Sequence, residues 1–318
     1  MKTKNILVIG SLNIDLVTNV QTMPLIGETV LGDGLSYING GKGANQAYAA
    51  AQADGNVTML GCVGADDFGR AQVENILAAG VDTFRIKKSK TSPTGTAIIY
   101  VDKNANNSIV VIPGANNDCD VAYLKEHDDA LMGCDYLVLQ MEIPWESVQY
   151  AIRRANELGK TILLNPAPVL GPLPDEIYPL IDYITPNETE LANLTRRPVR
   201  TLEEAESGAK ILLGKGVKHV LVTMGEAGMY YLSDKSAQLF NARKVTAVDT
   251  TAAGDCFNAA FAVALSEGKS EGEAIIFANT ASSICVTRKG AQPSIPLRQE
   301  IEDALGLAAD NQVYEVRL

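Results

Sequence analysis

Residues 248–258 read Val-Asp-Thr-Thr-Ala-Ala-Gly-Asp-Cys-Phe-Asn, residue types suited to holding an anion beside a proton acceptor. A β-branched run containing Val245 and Val248 gives way to Thr251, Ala252, Ala253 and Gly254, small enough for an anion to approach their backbone N–H groups. An apolar helical pattern then begins at Phe257, Ala260, Phe261, Ala264 and Leu265. First-turn N–H groups of a helix have no intrahelical partner, and the helix dipole favours negative charge there. Asp255 places a carboxylate where a phosphate is expected, which makes chemical sense if it moves a proton. An anion cradle beside a base points to phosphoryl transfer to a hydroxyl. The plainer alternative is an ordinary helix start, with Asp255 complementing the dipole.

A second segment, residues 39–47, reads Asn-Gly-Gly-Lys-Gly-Ala-Asn-Gln-Ala and leads into a small-residue helix. No Gly-x-x-x-x-Gly-Lys-Ser/Thr loop occurs in the chain, and no Gly-x-Gly-x-x-Gly follows the first strand. Gly40 and Gly41 allow backbone angles closed to other residues, and Lys42 and Asn45 offer donors to a polyhydroxyl ligand. A glycine turn ahead of a helix reads equally well as plain structure. Asn13 and Asp15 follow the first strand, and Glu142 follows the strand 136–140, both at the usual ligand edge of an open α/β sheet. Asn187 and Glu190 lie three apart on one helix face, where a single carboxylate acting through water suffices for Mg²⁺. Thr185-Pro186-Asn187 also makes a good helix start. The stretch from Thr223 to Gly228, with Gly225 between, reads as a hairpin.

Segments 39–47 and 248–258 closely resemble the two signatures of the ribokinase-like (PfkB) family of carbohydrate kinases. The resemblance is collinear over nearly the whole chain. It includes Gly10-Ser11-Leu12-Asn13-Ile14-Asp15, Asn165-Pro166-Ala167-Pro168, Thr185-Pro186-Asn187-Glu188-Thr189-Glu190 and the run from Val286 to Ser294. It implies ATP-dependent phosphorylation of D-ribose at O5, with a 2-deoxyribose kinase or another sugar or nucleoside kinase as the alternative. Asp255 is then the general base and the backbone of Ala252, Ala253 and Gly254 the anion hole. Asn13, Asp15, Gly41, Lys42, Asn45, Glu142 and Asp255 are expected around the sugar. Asn187, Thr223, Gly225, Gly228, Gly254 and Asn279 are expected around ATP, with Glu190 reaching Mg²⁺ through water. Asp249, Thr251, Cys285, Arg288, Gly290 and Ser294 match positions that bind K⁺, several through backbone carbonyls.

The chain departs from the family at Cys256, where threonine follows the aspartate, and at Thr251, which replaces an apolar residue. Deoxyribokinases resemble this chain but carry an apolar residue where Asn13 stands, so Asn13 favours a sugar with a 2-hydroxyl. The resemblance also implies a small β-sheet lid and a homodimer formed through it.

These residues need a frame to hold them. Strands are expected at 5–9, 57–63, 136–140, 161–164, 183–184 and 219–223. Helices are expected at 43–53, 69–79, 145–158, 188–194, 203–213, 255–266 and 272–286. Near-continuous apolar strands separated by helices predict a mostly parallel sheet covered on both faces, a three-layer α/β/α sandwich. Residues 14–38 and 95–112 break the alternation with β-like runs at 29–31, 97–101 and 108–111, and are assigned to the lid. Val110, Val111 and Ile112 are read as its apolar underside. The α/β domain then comprises residues 1–13, 39–94 and 113–318. Residues 311–318 carry no functional reading.

Composition limits the partners. The 318 residues carry a net charge of −11 with no basic run, which argues against nucleic acid and anionic membranes. A nucleotide needs only local donors and a metal. The chain runs from Met1 straight into a strand and has no long apolar stretch, so a cytoplasmic protein without a signal peptide is expected. Five scattered cysteines and two histidines lack zinc spacing and read as reduced thiols. Cys256 stands in a helix first turn, where a thiol pKa can fall, but a small half-buried filler is the favoured reading.

Overall fold

The computed structural model describes residues 4–104, 106–169, 171–307 and 313–315. Its main sheet runs β15 (Val313–Glu315), β14 (Ala237–Phe240), β13 (Met229–Ser233), β12 (His219–Thr223), β11 (Tyr183–Ile184), β10 (Thr161–Leu164), β9 (Tyr136–Leu139), β1 (Asn5–Ile9) and β4 (Asn56–Leu60). From β12 to β4 every pair is parallel; β13, β14 and β15 join as antiparallel strands. The parallel strands are apolar throughout because both faces are covered. Ile6 and Val8 pack into one core with Ala44, Phe257 and Phe261, whereas Leu7 and Ile9 pack into the other with Val148, Ile152 and Leu212. Each such burial stabilises the fold by roughly 1.5–3 kcal/mol.

Helices α1 (Lys42–Gln52), α2 (Asp67–Ala78), α3 (Val121–Glu126), α4 (Asp128–Gly133), α5 (Trp145–Glu157), α6 (Glu188–Thr195), α7 (Leu202–Gly214), α8 (Ala253–Ser266), α9 (Glu271–Cys285) and α10 (Arg298–Leu307) complete the layers. Helix α8 is buried from Asp255 to Ser266 and packs between α1 and α9. Alanines along α1 let α8 approach it closely. None of the described helices is long and apolar enough to cross a membrane.

A second sheet has the order β3 (Ser36–Gly40), β2 (Asn13–Val20), β7 (Gly95–Asp102) and β8 (Asn107–Ile112). It therefore includes Asn13 and Gly40, one residue or two beyond the ranges expected for the lid. Residues 29–31 form no strand; Leu31 is exposed and its neighbour Gly32 makes only an isolated bridge to Val20. Val110 and Ile112 are in register with Ile98 and Thr96, while Val111 is in register with Ala97. Side chains alternate across a strand, so the three do not form one underside, and all are exposed.

The expected strand 57–63 breaks at Gly61, where a Cβ would collide with the Leu12 side chain and the Gly10 carbonyl. Beyond it β5 (Cys62–Gly64) leaves the main sheet and pairs with β6 (Lys87–Ser89). Val245 and Val248 are exposed and lie in no strand. Helices α3, α4 and α10 and strand β14 were not anticipated, whereas β13 is the second strand of the expected hairpin. The first two helices are six residues each, too short to show an apolar period.

Candidate active site

Parallel strands leave their C-terminal ends on one edge, and β1 sits where the chain departs to β4 on one side and β9 on the other. Ligands bind at such switch points. Residues leaving β1, the N-terminus of α1 and the N-terminus of α8 meet here.

At the α8 N-terminus Ala252 adopts a left-handed backbone, φ 61. A non-glycine residue held this way costs on the order of 1–3 kcal/mol, a strain that clusters at functional sites. Ser282 Oγ donates to the Ala253 carbonyl (3.0 Å) and Asn258 Nδ2 to the Gly254 carbonyl (2.8 Å), pinning the turn from outside. One expectation needs correction: the Ala253 N–H donates to the Thr250 carbonyl at 3.2 Å and closes the turn instead of facing outward. The N–H groups of Ala252, Gly254 and Asp255 have no partner among the described residues and form the open cradle.

Asp255 is 6% exposed. Its carboxylate accepts from Asn45 Nδ2 and Gln46 Nε2, each at 2.9 Å, both from α1. Gln46 is held in turn by Gln140 Nε2, which donates to its Oε1 at 2.6 Å. Burial raises the Asp255 pKa above the usual carboxylate range; Lys42, Asn45 and Gln46 oppose that rise. A carboxylate whose pKa is raised by burial binds a proton more strongly than an exposed one.

Facing Asp255 are Asp15 and Lys42. Burial, then Glu142 and Asp255, push the Asp15 pKa up to about 7. Burial works against the charge on Lys42, but Asp255, Glu142, Glu190 and Asp15 together raise its pKa above the ordinary lysine value. Glu142 accepts from Ser11 Oγ (2.5 Å) and the Lys42 N–H (3.1 Å), tying the end of β1 to the start of α1. Gly41 has φ 86, and a Cβ there would press on backbone atoms of Asn13, Ser11 and Leu12. Asn13, Asp15, Gly41, Lys42, Asn45, Glu142 and Asp255 are thus brought close together. Ser11, Gln46, Asn116 and Gln140 join them without having been anticipated, because buried amides and hydroxyls carry no local sequence signal.

Asn187 and Glu190 cap α6 reciprocally: Glu190 Oε2 accepts from the Asn187 N–H (2.9 Å) and Asn187 Oδ1 from the Glu190 N–H (2.8 Å). The helix-start reading is therefore present. Burial raises the Glu190 pKa, against the Asn187 N–H and Lys42. Thr223 bridges to Asn187 in the sheet, and the expected hairpin follows, with Gly225 at φ 51 and Gly228 at φ 94. A Cβ on Gly228 would strike the Phe240 carbonyl. Asn279 is half-buried on α9.

Around residue 249 a loop is stitched together. Asp249 accepts from the Thr251 N–H (2.9 Å), Thr251 Oγ1 (2.7 Å) and the Gly290 N–H (2.9 Å). Cys285 Sγ lies 3.0 Å from Ser294 Oγ and 3.8 Å from the Thr251 carbonyl. The Arg288 guanidinium turns away to pair with Glu300, so only its backbone is available here. Contact with Cys285 and full burial push the Cys256 thiol well up, which fits the favoured filler reading and not a lowered pKa at a helix start. All five cysteines are buried and unbridged.

A buried carboxylate beside open N–H groups at a helix start, on a doubly covered parallel sheet, is an arrangement suited to a phosphotransferase acting on a hydroxyl. Residues 3–298 match the pfkB family of carbohydrate kinases, and the chain belongs to that family. It is 41% identical over 313 residues to a ribokinase of Schizosaccharomyces pombe, covering 95% of this chain and 98% of that one. It is 37% identical over 307 residues to a deoxyribokinase of Salmonella typhi, with 95% and 99% covered. Its fold superposes on an Arabidopsis thaliana ribokinase complexed with ribose and ATP with a TM-score of 0.89, at 31% identity, over 96% of this chain and all of that one. The chain is a carbohydrate kinase.

Proposed function

We propose that this kinase transfers the γ-phosphoryl group of ATP to O5 of D-ribose, giving ribose 5-phosphate and ADP. The observation that carries the reading is the buried Asp255 carboxylate, held by two α1 amides at the mouth of the α8 cradle. As O5 attacks the γ-phosphorus, the bond to ADP breaks and Asp255 takes the hydroxyl proton. The free N–H groups of Ala252, Gly254 and Asp255 meet the charge on the transferred group. Asn13, Asp15, Lys42, Asn45 and Glu142 hold the sugar, while Asn187, Thr223, Gly225, Gly228 and Asn279 line the nucleotide side. Mg²⁺ neutralises phosphate charge when bound; Glu190 fits it through water, since Oε1 stays outside the capping contact.

The loop holding Asp249, Thr251, Cys285, Gly290 and Ser294 supports a K⁺ site whose carbonyls order the cradle. Buried free thiols support a cytoplasmic setting. A homodimer through the second sheet completes the reading. Similarity to a deoxyribokinase keeps 2-deoxyribose as the second candidate. A coupled ADP-release panel over ribose, 2-deoxyribose, fructose and nucleosides tests the choice. Ribose should give the highest kcat/KM; a higher value for 2-deoxyribose would replace the first reading with the second.

A further inference from the structure

We propose that Asn116 is a positioning residue that sets the polarity of the sugar site, fixing the Asn13 amide so that its NH₂ group, and not its carbonyl, faces the substrate. This rests on the reading that Asn13 meets the sugar. The orienting chain begins at a group with one possible role. The backbone N–H of Leu12 can only donate, and it meets Asn116 Oδ1 at 2.9 Å. That end of Asn116 must therefore be the carbonyl, although the two ends of an amide have the same shape. Its Nδ2 then reaches Asn13 Oδ1 at 2.7 Å, with a longer contact to the Leu12 carbonyl at 3.4 Å. A donor at that point requires Asn13 to offer its own carbonyl. The Asn13 NH₂ group is left without a partner among the described residues, yet it is not among the sealed, unsatisfied polar atoms. Asn13 lies on the same face of β2 as Asp15.

Asn116 is 1% exposed and both ends of its amide are engaged, so its influence on substrate runs through Asn13. It stands in the 3₁₀ turn Gly114–Asp118, which enters with Gly114 at φ 51. Gly95 opens β7 directly opposite Asn13, and a Cβ there would run into both Asn13 Oδ1 and Asn116 Nδ2. The amide pair thus fills the space that this glycine vacates.

The chemical consequence concerns one hydroxyl. A sugar hydroxyl has a single proton, and an ionised Asp15 can only accept it. Asn13, presenting NH₂, donates to the oxygen of the same group. A hydroxyl satisfies both neighbours, and a sugar with hydrogen in its place leaves both unpaired. An inverted Asn13 would set two acceptors against one proton.

Asn116→Asp keeps an acceptor for the Leu12 N–H but sets a second acceptor against Asn13 Oδ1, which forces Asn13 to turn over. Both sugars should be assayed on one preparation above pH 7, where Asp15 is ionised, so that the active fraction cancels. The ribose to 2-deoxyribose ratio of kcat/KM is expected to fall on the order of ten-fold, the scale of one mispaired hydrogen bond. Gly95→Ala attacks the same bond from β7 and should move the ratio the same way if Asn116→Asp does not fold. In an Asn13→Met background, which itself lowers the ratio, Asn116→Asp should change it no further. An unchanged ratio in Asn116→Asp and Gly95→Ala, beside a shifted ratio in Asn13→Met, overturns the inference and spares the reading of Asn13. An unchanged ratio in Asn13→Met overturns both.

Discussion

Asp255 and Asp15 are both buried and both have raised pKa values, yet their environments differ. Asp255 has two amide donors that aim its carboxylate, and these together with Lys42 oppose the rise that burial causes. Asp255→Asn keeps the shape but cannot take a proton, and turnover should fall by ~10²–10⁴-fold while sugar and ATP still bind. Parallel steady-state and binding assays check this; turnover near wild type would remove Asp255 from the role of base. Asp15 has no hydrogen-bond donor among the described residues, and its pKa rises from 3.8 to about 7. Between those values the folded protein holds a proton that the unfolded chain does not. The raised pKa is therefore a destabilisation, fully present above about pH 7 and relieved as pH falls toward 4. Asp15→Asn is expected to raise the thermal midpoint of the sugar-free protein above pH 7, by at most ~4 kcal/mol of stability at ~1.4 kcal/mol per pKa unit. The gain should vanish in acid, and KM for the sugar should rise. Equal melting curves at every pH would show that Asp15 is not under electrostatic strain.

The elements bring these residues together through tight backbone contacts more than through side-chain reach. Gly41 caps α1 at φ 86 with no room for a Cβ, so Gly41→Ala should shift α1 outward and displace Lys42, Asn45 and Gln46 together. A strain on the order of 1–3 kcal/mol predicts a midpoint several degrees lower, with kcat/KM for the sugar falling more than ten-fold, on the order of the loss expected from a small misplacement. Wild-type kinetics in a destabilised Gly41→Ala protein would separate the turn from the chemistry. Apolar strands such as Asn5–Ile9 and His219–Thr223 were legible in the sequence to the residue, because burial on both faces leaves an unbroken apolar run. So were the glycine turn before α1 and the small residues before α8. What stayed hidden was long-range: Asn116 joins Asn13 across 103 residues and Gln46 joins Asp255 across 209. The Ala253 N–H was misread because a helix start does not reveal which of its donors a preceding turn consumes.

At the scale of the whole molecule the second sheet poses its own problem. It stands on the α/β body with β3 and β8 as its edges. Register puts Asn13, Asp15, Gly95, Ala97 and Val111 on one face, the face whose inner end holds the substrate residues. Leu16, Tyr37, Ile98 and Val110 fall on the other. Tyr37 and Val110 are 62% and 54% exposed there, and Ile109, Val111 and Ile112 continue the apolar run along β8. A long apolar edge strand is an invitation to pairing, which stable proteins block with charge, proline or a covering partner. Strand β8 has neither charge nor proline, which leaves the third device. A second copy of the chain can supply it by matching like surface to like in a two-fold contact. The wild-type protein is accordingly expected to sediment as a dimer at micromolar concentration. Val110→Glu should yield folded monomers by burying an unpaired carboxylate in that contact. Because the sheet's inner end carries Asn13 and Asp15, the monomer should also show a raised KM for sugar with a smaller change in kcat. A monomeric wild type, or a Val110→Glu dimer with unaltered KM, would end the proposal that the second sheet is where two chains meet.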